Sequence, residues 1–514
     1  MSRLSILGVL LLLLPLLPAV AGEAHLKVAT SSSVGTLDPH RALRGSDFQL
    51  HGHVYEALTE RRNFRPVPAL AERWSTADGR VWDIALAPGR RFSDGSPVTA
   101  ADAAWSLCRV RALGISGAAP GLDRVDVAAA DRLRIVLAAP QIDLDLDLSL
   151  ILIAKAPDRV RADATWAGCG PGDIPAAEQA ELTGLIGSGP FRLLSAHPGD
   201  GYELERACIT GCPAWERVSL IPTPMPAERM RLLAEGMVQV MEDVSATHLP
   251  YLAGRGDLVL TELPSDRVMF LALNAGLTGH PLADARVRRA IALAIDRNTL
   301  VERGSVGLAA PVGQLARPDM TGIAPDRRHA TVDPAAARSL LAAAGVPPGS
   351  PVEIVVSQAR GADSGRIAGG IAAMLRSVGL EARVTPIAGG EMTPRLQEGR
   401  YELALVLFGL TGTDAVQGLV QILRQDMLMH DRLPDPGRAE LTRLIKQVDS
   451  ASGEPSSPDL ATRMLDLMER EVPLIPLLHI KDLIAHRQDL TITAEDTSRL
   501  FGLTATAAGG VAIR

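Results

Sequence analysis

Residues 350–410 constrain the fold of this chain more than any other stretch. Residues 352–357 form a short β-branched run bounded by Pro351 and Gly361. Ile367, Ile371, Met374, Leu375 and Val378 then recur at helical spacing, and Gly379 stands where a helix would close. Residues 381–387 read as a second strand, 391–398 as a short helix ended by Gly399, and 401–408 as a third, nearly all-apolar strand. Strands without polar alternation are covered on both faces. Strand, helix, strand, helix, strand therefore predicts an α/β lobe with a largely parallel sheet.

The flanking segments carry their own punctuation. Asp333 can cap a helix whose first turn holds Pro334 and whose end meets Gly345. Residues 285–300 form another helix capped by Asp284, with Val287, Ile291, Ala294 and Ile295 on one face. Its arginines at 286, 288 and 289 offer contacts for an anion, but a solvated face is the commoner outcome. The N-terminal half is richer in strands: 81–86, 132–137 and 202–205 alternate with period two. In 143–148 an extended segment would put Asp143, Asp145 and Asp147 on one face, a charged edge that discourages strand pairing.

The chain opens with Arg3, an apolar run at 4–17 and small residues at Ala19 and Ala21. This is the pattern of a cleaved export signal spanning 1–21. The run is short of the ~20 residues needed to cross a bilayer. No cysteine lies near Ala21 to carry a lipid, so the remaining chain is expected to be soluble and periplasmic. With 47% hydrophobic residues it can bury a large core, and its net charge of −7 argues against nucleic acid as a partner.

An exported chain can form disulfides. Cys208 and Cys212 flank Gly211 and precede Pro213, a turn that can join the two sulfurs; the arrangement of Cys108 and Cys169 stays open. The competing zinc reading is weak, because C-x3-C has no histidine nearby. No metal or other cofactor is expected: His51 and His53 are two apart, and on a helix they face different ways. Nucleophile-elbow, metalloprotease, phosphate-loop and dinucleotide motifs are all missing, so the chain is read as a non-enzyme. Gly187-Ser-Gly-Pro190 resembles a phosphate cradle but lacks its lysine.

A series of tags then runs through the chain in order. Gly35-Thr-Leu-Asp-Pro-His40, Val54-Tyr-Glu-Ala-Leu-Thr59, Pro66-Val-Pro-Ala-Leu-Ala-Glu-Arg-Trp74 and the segment from Phe92 to Asp102 come first. Gly187-Ser-Gly-Pro-Phe191, Leu273-Asn274, Asp284 to Asp296, Leu340 to Gly345 and Glu471-Val-Pro-Leu-Ile-Pro476 follow. Together they resemble the bacterial extracellular solute-binding proteins of family 5, which bind dipeptides, oligopeptides or nickel chelates for ABC importers.

The resemblance implies a periplasmic-binding-protein-like fold: two α/β lobes joined by hinge strands, with the ligand cleft between them. Lobe I would be 22–265 together with 477–514, and lobe II 266–476. It implies a monomer that captures a peptide or peptide-like solute and delivers it to a membrane permease. Binding of an opine, metal chelate or sugar-derived solute, or a sensory role, is the alternative. The ligand would be reached by Val34, Gly35 and Thr36, by the loop from Phe408 through Thr411 to Asp414, and by His479. Peptide binders of this family carry a Trp and, three residues later, an Asp that pairs with the peptide ammonium. Here those positions hold Phe408 and Thr411, and a threonine cannot supply that charge. Aromatic residues are sparse, and Trp74, Trp82 and Trp105 suit core positions better than ligand contacts.

Overall fold

The structure is a computed structural model that describes residues 24–507 apart from 43–44, 63–64, 115–120, 142, 164–166, 170–171, 183, 198, 209–214, 264, 318–319, 322–330, 358–360, 389–390, 411–413, 424–432, 451–456 and 495–502. The expected export signal at 1–21 therefore lies outside the described residues, as does Thr411.

Two large sheets organise the chain. The first has seven strands in the order Leu258–Leu263, Asp482–Arg487, Val240–Met241, His25–Thr30, Arg217–Pro222, Gly201–Arg206 and Phe191–His197. His25–Thr30 runs parallel to both of its neighbours, and the other pairings are antiparallel. A five-stranded antiparallel sheet, which includes Val81–Leu86 and Arg132–Leu137, packs beside it against the helix Ala100–Leu113. Trp82 and Trp105 are buried there, their indole N–H groups donating to Gly79 O and Glu178 Oε2. Trp74 donates to Asp145 Oδ2.

The second sheet has six strands in the order Ala309–Pro311, Leu474–Ile480, Arg267–Leu273, Leu403–Gly409, Ser350–Ser357 and Leu380–Ile387. Strands and helices expected from 350 to 409 occur where the apolar periods put them, with Gly379 (φ 102°) and Gly399 (φ 69°) at the helix ends. Only the last three strands in that order are parallel, and the other pairings are antiparallel. The expectation of a largely parallel sheet is corrected to a mixed one, because Arg267–Leu273 and Leu474–Ile480 are brought in from distant sequence. Each face of this sheet carries its own core, one built around Ile291, Ile371 and Leu375 and the other around Phe270, Leu441 and Leu467.

Three local expectations also change. Leu144–Leu148 is a short helix, not an extended edge: burying Leu144, Leu146 and Leu148 outweighs strand alternation. Helix Ala285–Ala294 ends at Ile295, and Asp296 starts a new turn by accepting from Asn298 and Thr299 N–H. Its arginines are structural: Arg286 pairs with Asp284, while Arg288 and Arg289 donate to main-chain carbonyls. Cys108 and Cys169 form a disulfide that ties the helix Ala100–Leu113 to the loop beyond the five-stranded sheet. Cys208 is disulfide-bonded, and its expected partner Cys212 lies outside the described residues.

The chain passes from the first large sheet to the second between Leu263 and Arg267, and returns at Lys481 between Ile480 and Asp482. Two ion pairs brace these crossings. Lys481 Nζ lies 2.9 Å from Glu262, and Arg267 pairs with Asp482.

Candidate functional site

Parallel strands present the C-terminal ends of their backbones to a common edge, where loops gather side chains from distant sequence. After His25–Thr30 the chain turns through 31–37, and this loop is tightly held. Gly35 N–H donates to Asp47 at 2.6 Å, Tyr202 donates to Val34 O at 3.3 Å, and Thr36 O lies 3.0 Å from His51 Nε2. Thr36 Oγ1 donates to Glu181 at 2.7 Å. Burial holds His51 below the usual imidazole range, so it stays neutral. His53 is likewise pushed down to about 4 by burial. Gly187 and Gly189 sit against the backbone of the helix Gly45–Val54, which carries both histidines. A Cβ on Gly187 would meet Val54 O at 1.9 Å, so this glycine serves close packing where a phosphate cradle was the superficial alternative.

Close to that loop lies a buried carboxyl that the sequence did not signal. Glu242 follows the strand Val240–Met241 and is fully enclosed, with Gln49 donating to it. Burial pushes it up to about 8, so it is held protonated at neutral pH.

On the other lobe Phe408 and His479 flank Val268 in neighbouring strands, so the three residues share one rung of the sheet. His479 Nε2 lies 3.2 Å from Leu315 O. The segment around Leu315 belongs to the same site: Arg317 donates to Leu410 O, and Ala415 N–H donates to Thr321 O at 2.9 Å. Asp414 is buried and caps the helix Ala415–Leu423, its Oδ1 accepting from Val416 and Gln417 N–H, each at 2.9 Å. Capping residues accept from just these orphan N–H groups, so this oxygen is committed to the helix.

The lobes meet beside this loop. Leu410 N–H donates to Asp266 O at 2.9 Å, and buried Asp266 lies 3.7 Å from buried Arg61 of the first lobe. Asp143, also of the first lobe, is pushed up by burial and further by the charge of Asp414 opposite. The expected residues thus form two groups, 34–36 on one lobe and Phe408, Asp414 and His479 on the other. Asp143, Arg61, Glu242 and the residues Leu315, Arg317 and Thr321 are neighbours of these groups that the sequence did not signal. Nothing local marks them, because each acquires its place from residues distant in sequence. Among the described residues, no group of three or more His, Cys, Asp or Glu side chains is placed to hold a metal.

Two α/β lobes connected by two chain crossings have the architecture that closes on a solute. The sequence profile of the bacterial extracellular solute-binding proteins, family 5 (middle region), matches residues 65–426.

The chain belongs to this family.

It is accordingly a solute-binding protein of an ABC importer, which hands its cargo to a membrane permease and is not an enzyme. The glutathione-binding protein GsiB of Salmonella typhi is 24% identical over 492 residues, covering 92% of each chain. A di/tripeptide-binding protein of Pseudomonas aeruginosa is 28% identical over 434 residues, covering 77% of this chain and 78% of its own. NikA of Brucella suis, solved with Fe(III)-EDTA, superposes with a TM-score of 0.79 at 21% identity, over 94% of this chain and 100% of its own. The last likeness speaks for the fold alone. No helix among the described residues is long and apolar enough to cross a membrane.

Proposed function

We propose that the protein captures a short peptide or peptide-like solute between the loop 34–36 and the Phe408–Asp414–His479 face. The observation that carries this reading is the commitment of Asp414. It is the only acid between 408 and 414, and its Oδ1 is spent on two main-chain donors. A ligand ammonium therefore meets Thr411 where peptide binders of the family place an acid, and the nearest acid of the loop already serves a helix cap, which favours peptides with a blocked, modified or differently anchored amino end. Relatives that bind glutathione and di- or tripeptides support a ligand of that size. The lobes exchange between Leu263 and Arg267 and at Lys481, so the C-terminal return begins a few residues later than position 477. The segment 1–21 is removed on export, and Cys208 pairs with Cys212. The protein acts as a periplasmic monomer.

Thermal shift of the purified protein against free dipeptides to pentapeptides, N-acetylated peptides, glutathione, opines and nickel–histidine tests this. A ligand at 100 times its Kd adds about 2.7 kcal/mol to stability. Glutathione or blocked peptides should shift the curve more than free linear peptides. Preference for free linear peptides would show that Asp414, or another acid, is the missing anchor. Shifts with opines or chelates alone would overturn the peptide reading.

A further inference from the structure

A second contact between the lobes involves none of the residues proposed to touch solute. Asp363 sits in the first turn of the helix Gly361–Ser377, on the second lobe. Its Oδ2 accepts from the main-chain N–H of Ala246 at 3.2 Å, and Ala246 belongs to the first lobe, in the turn Ala246–His248. The other oxygen, Oδ1, is buried and makes no hydrogen bond; Arg366 Nη1 is 3.7 Å from it. Asp363 lines a cavity of about 40 Å³, closed by Asp243 and Ser245 of the first lobe and by Ser305 of the second. Lys481, where the chain crosses back, lines the same cavity.

A hydrogen bond between two moving bodies counts only in the state that brings them together. Its free energy therefore belongs wholly to the closed form, and it biases closure without touching solute. The site is partly desolvated as well: burial pushes the Asp363 carboxyl up, and the nearby charge of Asp243 adds to this. A hydrogen bond to a buried main-chain donor is expensive to leave unmade. Separating the lobes returns both partners to water.

We propose that Asp363 is a positioning residue for capture, a latch whose contact with the Ala246 N–H favours the closed arrangement of the two lobes. The inference rests on capture by lobe closure, and holds whichever solute is bound.

The test measures the open and closed populations of the solute-free protein by single-molecule energy transfer, with one dye on each lobe. Asp363→Ala should lower the ratio of closed to open protein about tenfold, the weight of one such bond. Asp363→Asn keeps an oxygen acceptor and should stay close to the parent ratio. Ala246→Pro removes the donor from the opposite lobe, at the first position of its turn, where proline is tolerated. It should open the protein as Asp363→Ala does. Melting temperatures of the three variants separate a latch from a general loss of folding. An unchanged ratio in Asp363→Ala, or opening by Asp363→Asn equal to that of Asp363→Ala, would overturn the proposal. So would an Ala246→Pro protein that stays as closed as the parent. A failure to find any peptide ligand would leave these ratios untouched, so the two readings fail separately.

Discussion

The two lobes bury charge differently. The first holds enclosed pairs of opposite charge, although its buried Arg229 serves main-chain carbonyls: Arg109 grips Asp38 through two hydrogen bonds of 2.9 and 2.6 Å, both side chains fully enclosed. Enclosed Asp102 accepts through both oxygens from Nη1 of the partly exposed Arg161. In the second lobe, buried ionic groups mostly serve the main chain. Arg288 donates to Leu282 O and Ala283 O, Arg297 to Pro476 O and Arg317 to Leu410 O, while Asp414 caps a helix. Truncation in the first lobe strands a partner charge in a low dielectric, whereas truncation in the second frees a neutral carbonyl or N–H. The first is the costlier error.

That contrast orders the expected effects. Arg109→Ala should cost about 3–5 kcal/mol in chemical denaturation, because Asp38 is left charged and enclosed. If it costs no more than a cap, the distinction between the lobes collapses. The next effect is carried by Glu242, whose folded carboxyl is held at about 8 by burial against ~4.3 in an unfolded chain. Below the lower value both states are protonated. Between the two values only the folded state holds the proton, so stability falls as pH rises, by up to ~1.4 kcal/mol per pH unit. Glu242→Gln should flatten that slope, and denaturation curves from pH 5 to 8 measure it directly.

Arg297→Ala should be milder. It removes one bond to Pro476 O, and burial already lowers the guanidinium to about 10. A cost of about 1–3 kcal/mol, with no new pH dependence, would sharpen the comparison. Asp414→Ala should cost only ~1 kcal/mol, the worth of a helix cap. A smaller loss, or a gain, would mean that relief of the repulsion between Asp414 and Asp143 offsets the lost cap.

The same division explains what could be read in advance. Strands and helices of the second lobe follow uninterrupted apolar periods and glycine stops, so Ile367, Ile371 and Leu375 were legible as a core face and are fully enclosed. In the first lobe short polar segments misled: the alternation at 143–148 mimics a strand, yet three leucines pack as a helix. The family resemblance pointed to Val34–Thr36 and His479 as ligand contacts, but the companion stretch that holds Leu315, Arg317 and Thr321 has no pattern of its own. It is defined by carbonyls and N–H groups that reach it from 410, 415 and 479.

By itself, the sequence determined the apolar periods, the helix stops and the ordered tags that mark family and broad function, because these depend on neighbours a few residues apart. The tertiary structure alone decided the mixed sheet, the Cys108–Cys169 bridge, the protonated Glu242, the capping use of Asp414 and the contact between Asp363 and Ala246. Each of these depends on burial or on a partner more than fifty residues away, except the cap, where a local acid had two possible uses and only the folded loop chose between them. Desolvation and long-range pairing are properties of the assembled molecule, and no local pattern encodes them.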